Sequence, residues 1–156
     1  MNVESASSIV ARLELQPHPE GGWYREVHRS AERVQTSRGA RSALTTIYYL
    51  LERGQLSRWH VVTSDEIWHF YSGAPLELLV YEPTSRNLQR SPLDSANPIG
   101  IVAANAWQAA RSLGDYSLVG CNVGPGFEFA DFRFVTALPE HAAHFTGELA
   151  KYATLL

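Results

Sequence analysis

Short apolar runs, each closed by a turn signal, recur along most of this chain. They cover residues 23–28, 44–51, 57–63, 66–71, 76–82, 99–104, 107–112, 117–123 and 129–135. Arg53-Gly54, Ser64-Asp65, Ser72-Gly73, Ala104-Asn105, Leu113-Gly114-Asp115 and Gly124-Pro125-Gly126 punctuate them. Many short strands separated by such turns predict an all-β barrel or sandwich. Helical spacing occurs only near the ends. Serines precede Ile9, Val10 and Leu13, which share one helical face, so a short capped helix is predicted over 5–13. Phe145, Leu149 and Tyr152 predict a short terminal helix. Between the first helix and the first strand, Pro17-His18-Pro19-Glu20-Gly21-Gly22 demands a specific turn.

Strand parity turns this pattern into a site. Alternate residues share a face, so a strand that points His60 inward takes Arg58 and Val62 with it. A following strand that points Glu66 inward takes Trp68 and Phe70 and leaves Ile67, His69 and Tyr71 outside. Gln108 inward brings Ala106 and Ala110. His60 and Glu66 flank one turn, so a single hairpin can aim both into one cavity. The expected cavity has Arg58 and His60 as its cationic or hydrogen-bonding side, Glu66 as its acid, Gln108 as an amide, and Trp68 and Phe70 as an aromatic wall. Such a concave site with a few convergent polar groups suits a small molecule.

Composition narrows the partners. At 156 residues the chain is expected to form one domain, with its core over about 14–136. One cysteine, Cys121, excludes an intrachain disulfide and a cysteine zinc cluster. The basic stretch 25–41 is diluted by Glu26 and Glu32, and the net charge is −3, so no nucleic-acid partner is expected. No run approaches the roughly 20 apolar residues of a membrane span, and the start does not read as a signal peptide. A cytoplasmic protein with no membrane partner is expected.

The segment Trp59 to Gly73 resembles the first motif of the cupins, with His60, Glu66 and Gly73 at the histidine, glutamate and glycine positions and Val62 at the second histidine position. In the second motif, Ala103 and Asn105 replace the proline and glycine, and Gln108 replaces the histidine. Four segments in the same order resemble more closely a cupin subfamily known as a domain of unknown function. They are Pro17 to Glu26, Ser64 to Tyr71, Trp107 to Ala109, and Val119 to Phe132 with Pro125-Gly126-Phe127-Glu128-Phe129-Ala130-Asp131-Phe132 as its second half. This resemblance covers about residues 8–136. It implies a double-stranded β-helix, the jelly-roll barrel, similar to the dTDP-4-dehydrorhamnose 3,5-epimerases, and a homodimer.

The resemblance and the residues together frame three functional readings. The first is a metal-independent isomerase or epimerase acting on a sugar, nucleotide-sugar or other carbonyl compound. In it His60 is the general base, Glu66 orients it, and Arg58 or Gln108 polarises a carbonyl. The second is a non-catalytic binding module with the same pocket. The third is a metal-dependent cupin enzyme. No cofactor is expected; a divalent metal, if bound, would use His60, Glu66 and Gln108. His18 or Glu20 near the ligand is one reading of the Gly-Gly turn, and packing against a neighbouring subunit is the other. Phe127, Phe129 or Phe132 is expected to close the pocket mouth or to pack as core. Asp131 is expected to pair with an arginine, and Cys121 to be an inert buried thiol.

Overall fold

The computed structural model describes residues 4–156. Helix α1 (Ala6–Arg12) opens the fold, and Ser5 caps it by accepting from the Ser8 N–H at 3.2 Å. Strands β1 (Gln16–Pro17) and β2 (Trp23–Arg29) flank the Pro-Gly turn. A hairpin of β3 (Arg33–Thr36) and β4 (Gly39–Ser42) follows. The barrel then continues through β5 (Thr45–Glu52), β6 (Leu56–Val62), β7 (Asp65–Gly73), β8 (Leu76–Glu82), β9 (Asn87–Leu93), β10 (Ile99–Val102), β11 (Trp107–Ser112) and β12 (Tyr116–Gly124). A short β13 (Phe132–Phe134) lies between two 3-10 turns. The chain then makes one-turn helices α2 (His141–His144) and α3 (Gly147–Ala150).

The strands form two antiparallel sheets, in the orders β1-β2-β5-β12-β7-β10 and β13-β6-β11-β8-β9. Their facing sides bury Tyr49, Leu51, Trp68, Leu76, Leu78, Leu93 and Val119, with contributions from both sheets. Helix α1 covers the outside of β5 and β12 through Ile9, against Leu50, Tyr116 and Leu118. The terminal helices cover the outside of the second sheet, where Leu149 and Leu155 meet Trp59, Leu79 and Trp107. The Trp59 indole fixes this tail by donating to the Tyr152 carbonyl at 2.9 Å.

Several expected bounds are corrected. Strand β9 and the β3–β4 hairpin lie in stretches where the apolar pattern predicts no strand. In β9, Pro92 and the exposed polar residues hide the strand pattern, which an edge strand tolerates. The hairpin is largely exposed and so carries no apolar alternation. The expected strand over 129–135 shrinks to β13, because a 3-10 turn occupies Phe129–Asp131.

Candidate functional site

A cavity of about 370 Å³ opens at one end of the barrel. That size falls within the roughly 300–1,000 Å³ range of small-molecule sites. His60 on β6 and Glu66 on β7 both border it, as do Glu20 and Phe127. His60, Glu20 and Glu66 are at most 7% exposed.

The Pro-Gly turn closes the cavity from the side. His18 N–H donates to the Gly22 carbonyl at 2.9 Å, and Gly21 N–H to the His18 carbonyl at 3.0 Å. Gly21 has φ +110°, and a Cβ there would lie 2.1 Å from the Leu56 carbonyl oxygen, so only glycine fits this close approach. The Tyr49 hydroxyl donates to the Gly21 carbonyl at 2.7 Å, and the Arg58 N–H to the Glu20 carbonyl at 3.3 Å. The turn is thereby pinned to both sheets of its own chain, and its Glu20 carboxylate is driven inward.

Glu20 meets both imidazoles. Its Oε2 lies 3.1 Å from His60 Nδ1, and its Oε1 lies 3.8 Å from His18 Nδ1. The expected partner of His60 was Glu66, yet the carboxylate in contact with the ring is that of Glu20. Glu66 instead accepts from Gln108 Nε2 at 2.6 Å, and Gln108 Oε1 accepts from the Trp68 indole at 2.9 Å. The Cys121 thiol also lies against Glu66. Burial is the main cause that raises both Glu20 and Glu66 above the usual carboxylate value. Nearby His18 and His60, respectively, oppose that rise. Burial likewise lowers His18 and His60, against the pull of Glu20 and Glu66 respectively. The four groups therefore resist charge separation and favour neutral imidazoles.

Four of the residues expected to bind ligand lie elsewhere. Arg58 is exposed, with its guanidinium 4.5 Å over the Phe134 ring. The reason is a bulge in β6. His60 is opposite Gln108 but Ser57 is opposite Ala110, so β6 carries an extra residue and parity inverts. Ser57 takes the inward position and Arg58 turns out. Trp68 is 1% exposed and packs in the barrel core beneath the cavity, so its ring is closed to a stacked ligand. Phe70 packs against that same core. Gln108 is buried behind Glu66, with both ends of its amide engaged.

The aromatic lining comes instead from Tyr24, Phe127, Phe129 and Phe132. Phe132 stacks on His60 at 5.1 Å between centroids, and Phe127 meets Phe129 edge-on. Arg29 ties this mouth together, donating to Glu26 at 2.9 Å, to Glu128 at 3.0 Å and to the Phe127 carbonyl at 3.0 Å. Asp131 accepts from Arg41 at 2.7 Å and from Arg38 at 3.2 Å, anchoring the β3–β4 hairpin beside the mouth. Sequence parity identified none of Tyr24, Glu26 or Arg29 as lining residues. The signal available was the clustering of Glu20, Tyr24 and Glu26 around the glycine turn.

Gln108, expected as the third ligand of a metal, is turned into the core, where its Oε1 accepts from the Trp68 indole. Among the described residues, no three His, Cys, Asp or Glu side chains converge as a metal set. Two imidazoles and two buried carboxyl groups, side chains suited to proton transfer, line one cavity.

Two facing antiparallel sheets wound as a jelly roll, with a polar site in one open end, define the all-β cupin fold. The chain belongs to the family described as the Cupin superfamily (DUF985), whose pattern matches residues 7–135. It is similar to a hypothetical protein from Leishmania major at 31% identity. That match covers 96% of this chain and 98% of the other, with a TM-score of 0.83. It is also similar to a protein from Shewanella oneidensis at 34% identity, covering 96% and 97%, with a TM-score of 0.79. An oxalate decarboxylase structure shares the fold alone, at 15% identity and a TM-score of 0.59, over 92% of this chain and 38% of that one. Comparison with curated proteins gives no match. No helix among the described residues is long and apolar enough to cross a membrane.

Proposed function

We propose that this cupin binds a small polar carbonyl compound, a sugar or a related keto compound, in the barrel mouth and moves a proton on it. It would do so as a metal-independent isomerase or epimerase. The observation that carries this reading is the meeting of His60 with two buried carboxylates, Glu20 and Glu66, on one cavity of about 370 Å³. His60 Nδ1 lies 2.7 Å from the Arg58 carbonyl and 3.1 Å from Glu20 Oε2. Both are acceptors, so Nδ1 carries the ring proton and Nε2 keeps a lone pair. A neutral imidazole with one fixed nitrogen and one free lone pair is suited to general-base work near neutral pH. Glu66, held by Gln108, would balance the charge that develops, and Phe127 and Phe132 would flank the ligand. A second copy of the chain is the proposed partner in solution.

The test is solvent deuterium exchange. The protein is incubated in heavy water with a panel of keto sugars, nucleotide keto-sugars and keto acids, and the recovered compounds are analysed by mass spectrometry. Deuterium is expected at the carbon beside the carbonyl of at least one compound. His60→Gln should abolish that label with little change in melting temperature. Ligand-dependent stabilisation without any label would replace this reading with the non-catalytic binding module.

A further inference from the structure

The hydrogen bonds around Glu20 fix the two imidazoles in opposite states. Glu20 offers its backbone N–H to His18 Nδ1 at 3.1 Å. A nitrogen that accepts an N–H cannot carry a proton, so the neutral His18 ring must carry its proton on Nε2. The 3.8 Å approach of Glu20 Oε1 to the same nitrogen is therefore a close contact and not an ion pair. At His60 the situation is reversed: Nδ1 faces two oxygen acceptors, Arg58 O and Glu20 Oε2, and must hold the proton. One glutamate thus sorts the protons of two rings, with its N–H on one side and its carboxylate on the other.

The surroundings hold each ring in place. His18 packs edge-on to Tyr24 at 4.5 Å and to Tyr49 at 5.6 Å between centroids, while His60 stacks on Phe132. Both rings border the same cavity. Moving either ring's proton to its other nitrogen would set like poles together, a lone pair against the Arg58 carbonyl or an N–H against the Glu20 N–H.

We infer that His18 and His60 form a matched donor–acceptor pair for a hydroxy-carbonyl ligand, with His18 Nε2–H bonded to the carbonyl oxygen and His60 Nε2 taking a proton from the adjacent carbon. This rests on, and sharpens, the isomerase reading above. The step balances without a co-reactant. The C–H bond breaks and its proton goes to His60 Nε2. Its electron pair forms the carbon–carbon double bond of an enediol, and the carbonyl oxygen takes a proton from His18 Nε2. His60 then returns its proton to the other carbon of the enediol, whose own hydroxyl returns a proton to His18 Nε2, and isomerisation is complete with both rings neutral again. His18 is thereby a second catalytic residue, and Glu20 is a positioning residue that acts through both rings.

Imidazole nitrogen NMR of the ¹⁵N-labelled full chain tests the pair without any substrate. Signals are assigned with His18→Gln and His60→Gln. His60 is expected as the Nδ1–H form and His18 as the Nε2–H form. The same form at both rings, or Nδ1–H at His18, would overturn the inference. A second measurement uses glycolohydroxamate, an enediolate mimic, as the probe. Binding to the wild-type protein is expected to weaken at least about tenfold in each single variant, with both imidazole signals shifting on binding. Undiminished binding in His18→Gln would remove the donor role. Where a compound of the panel exchanges deuterium, His18→Gln should lower kcat by about 10²-fold or more, with a smaller effect on KM. Opposite ring forms and probe binding with no exchange on any compound would sink the isomerase reading while leaving the donor–acceptor pair intact.

Discussion

Gln108 holds Glu66 by its amide nitrogen and Trp68 by its amide oxygen, at 2.6 and 2.9 Å. The amide therefore connects the floor of the cavity to the barrel core. It occupies a position where a histidine was expected from the cupin pattern, and it builds a support for an acid where a metal ligand would otherwise stand.

Gln108→Leu should expose this dependence. It takes the amide donor from a buried carboxylate and leaves a buried indole N–H without its partner, each costing about 1–3 kcal/mol. Chemical denaturation should show a loss of about that size or more, and deuterium exchange should fall with it. Unchanged stability would mean that the amide contributes nothing to holding Glu66.

Gly21→Ala should fail for a steric reason. The added methyl meets the Leu56 carbonyl oxygen at 2.1 Å, on a backbone with φ +110°. A loss on the order of 1–3 kcal/mol is expected from the strained backbone alone. Because the same turn delivers Glu20, the His60 signals in NMR should shift as well. A crystal structure of the variant with an undisturbed turn would contradict this account.

Glu66→Gln should reveal the burial penalty through pH. The folded-state value of Glu66 lies above the ordinary 4.5, so the folded protein binds more protons than the unfolded chain above that value. Wild-type stability carried by this group therefore falls as pH rises from 4.5 through the folded value. The variant lacks that loss, so its stability relative to wild type should improve with rising pH and then level off. His18 and His60 act in the other direction. Their lowered values cost stability as pH falls below 6.5, and His60 costs more in the variant, which lacks the opposing pull of Glu66. Urea titrations across this range provide the check, and a difference that stays flat with pH would refute the penalty.

Asp131→Asn should loosen the mouth. The Arg41 hydrogen bond is the main cause that holds this carboxyl below its ordinary 3.8, and Arg38 adds to it. The stabilisation is present above 3.8 and is lost as pH falls through the lower folded value. The variant should lose on the order of 2 kcal/mol at neutral pH, the scale of hydrogen bonds to a charged group. Hydrogen exchange should quicken in the β3–β4 hairpin before it does in β5.

Cys121 should ignore thiol reagents in the native state. It is 2% exposed, and burial pushes its thiol well above the ordinary value. Labelling by a disulfide reagent at neutral pH should wait for unfolding. Prompt modification would show that the cavity admits bulky solutes down to Glu66.

The fold was legible because its signals are local. The hairpin from β6 to β7 shows its turn and its glycine in the sequence, and the cap at Ser5 precedes a clear apolar face. The site was legible only in part. His60, Glu66, Glu20 and Phe127 border one cavity, but spacing does not reveal that Glu20 touches His60, because Glu20 arrives from a turn remote in sequence. Arg58 was placed inward by counting in twos. The bulge that reverses that count is set by pairing with β11, which no pattern within β6 reveals. Trp68 and Phe70 were read as ligand-facing because an inward side chain in a barrel can meet either a guest or the opposite sheet. Parity gives direction but not depth.

Trp59 and His60 are neighbours in β6, and they serve opposite sides of one sheet. The indole belongs to the layer sealed by the tail, and the imidazole to the open mouth. The irregularity beside them works as a phase setter for everything downstream in that strand. Three residues apart in a regular strand, Ser57 and His60 would face opposite sides, and the irregularity is what gives both to the interior. Loops around this barrel can drift in length over generations, but this strand has no such liberty.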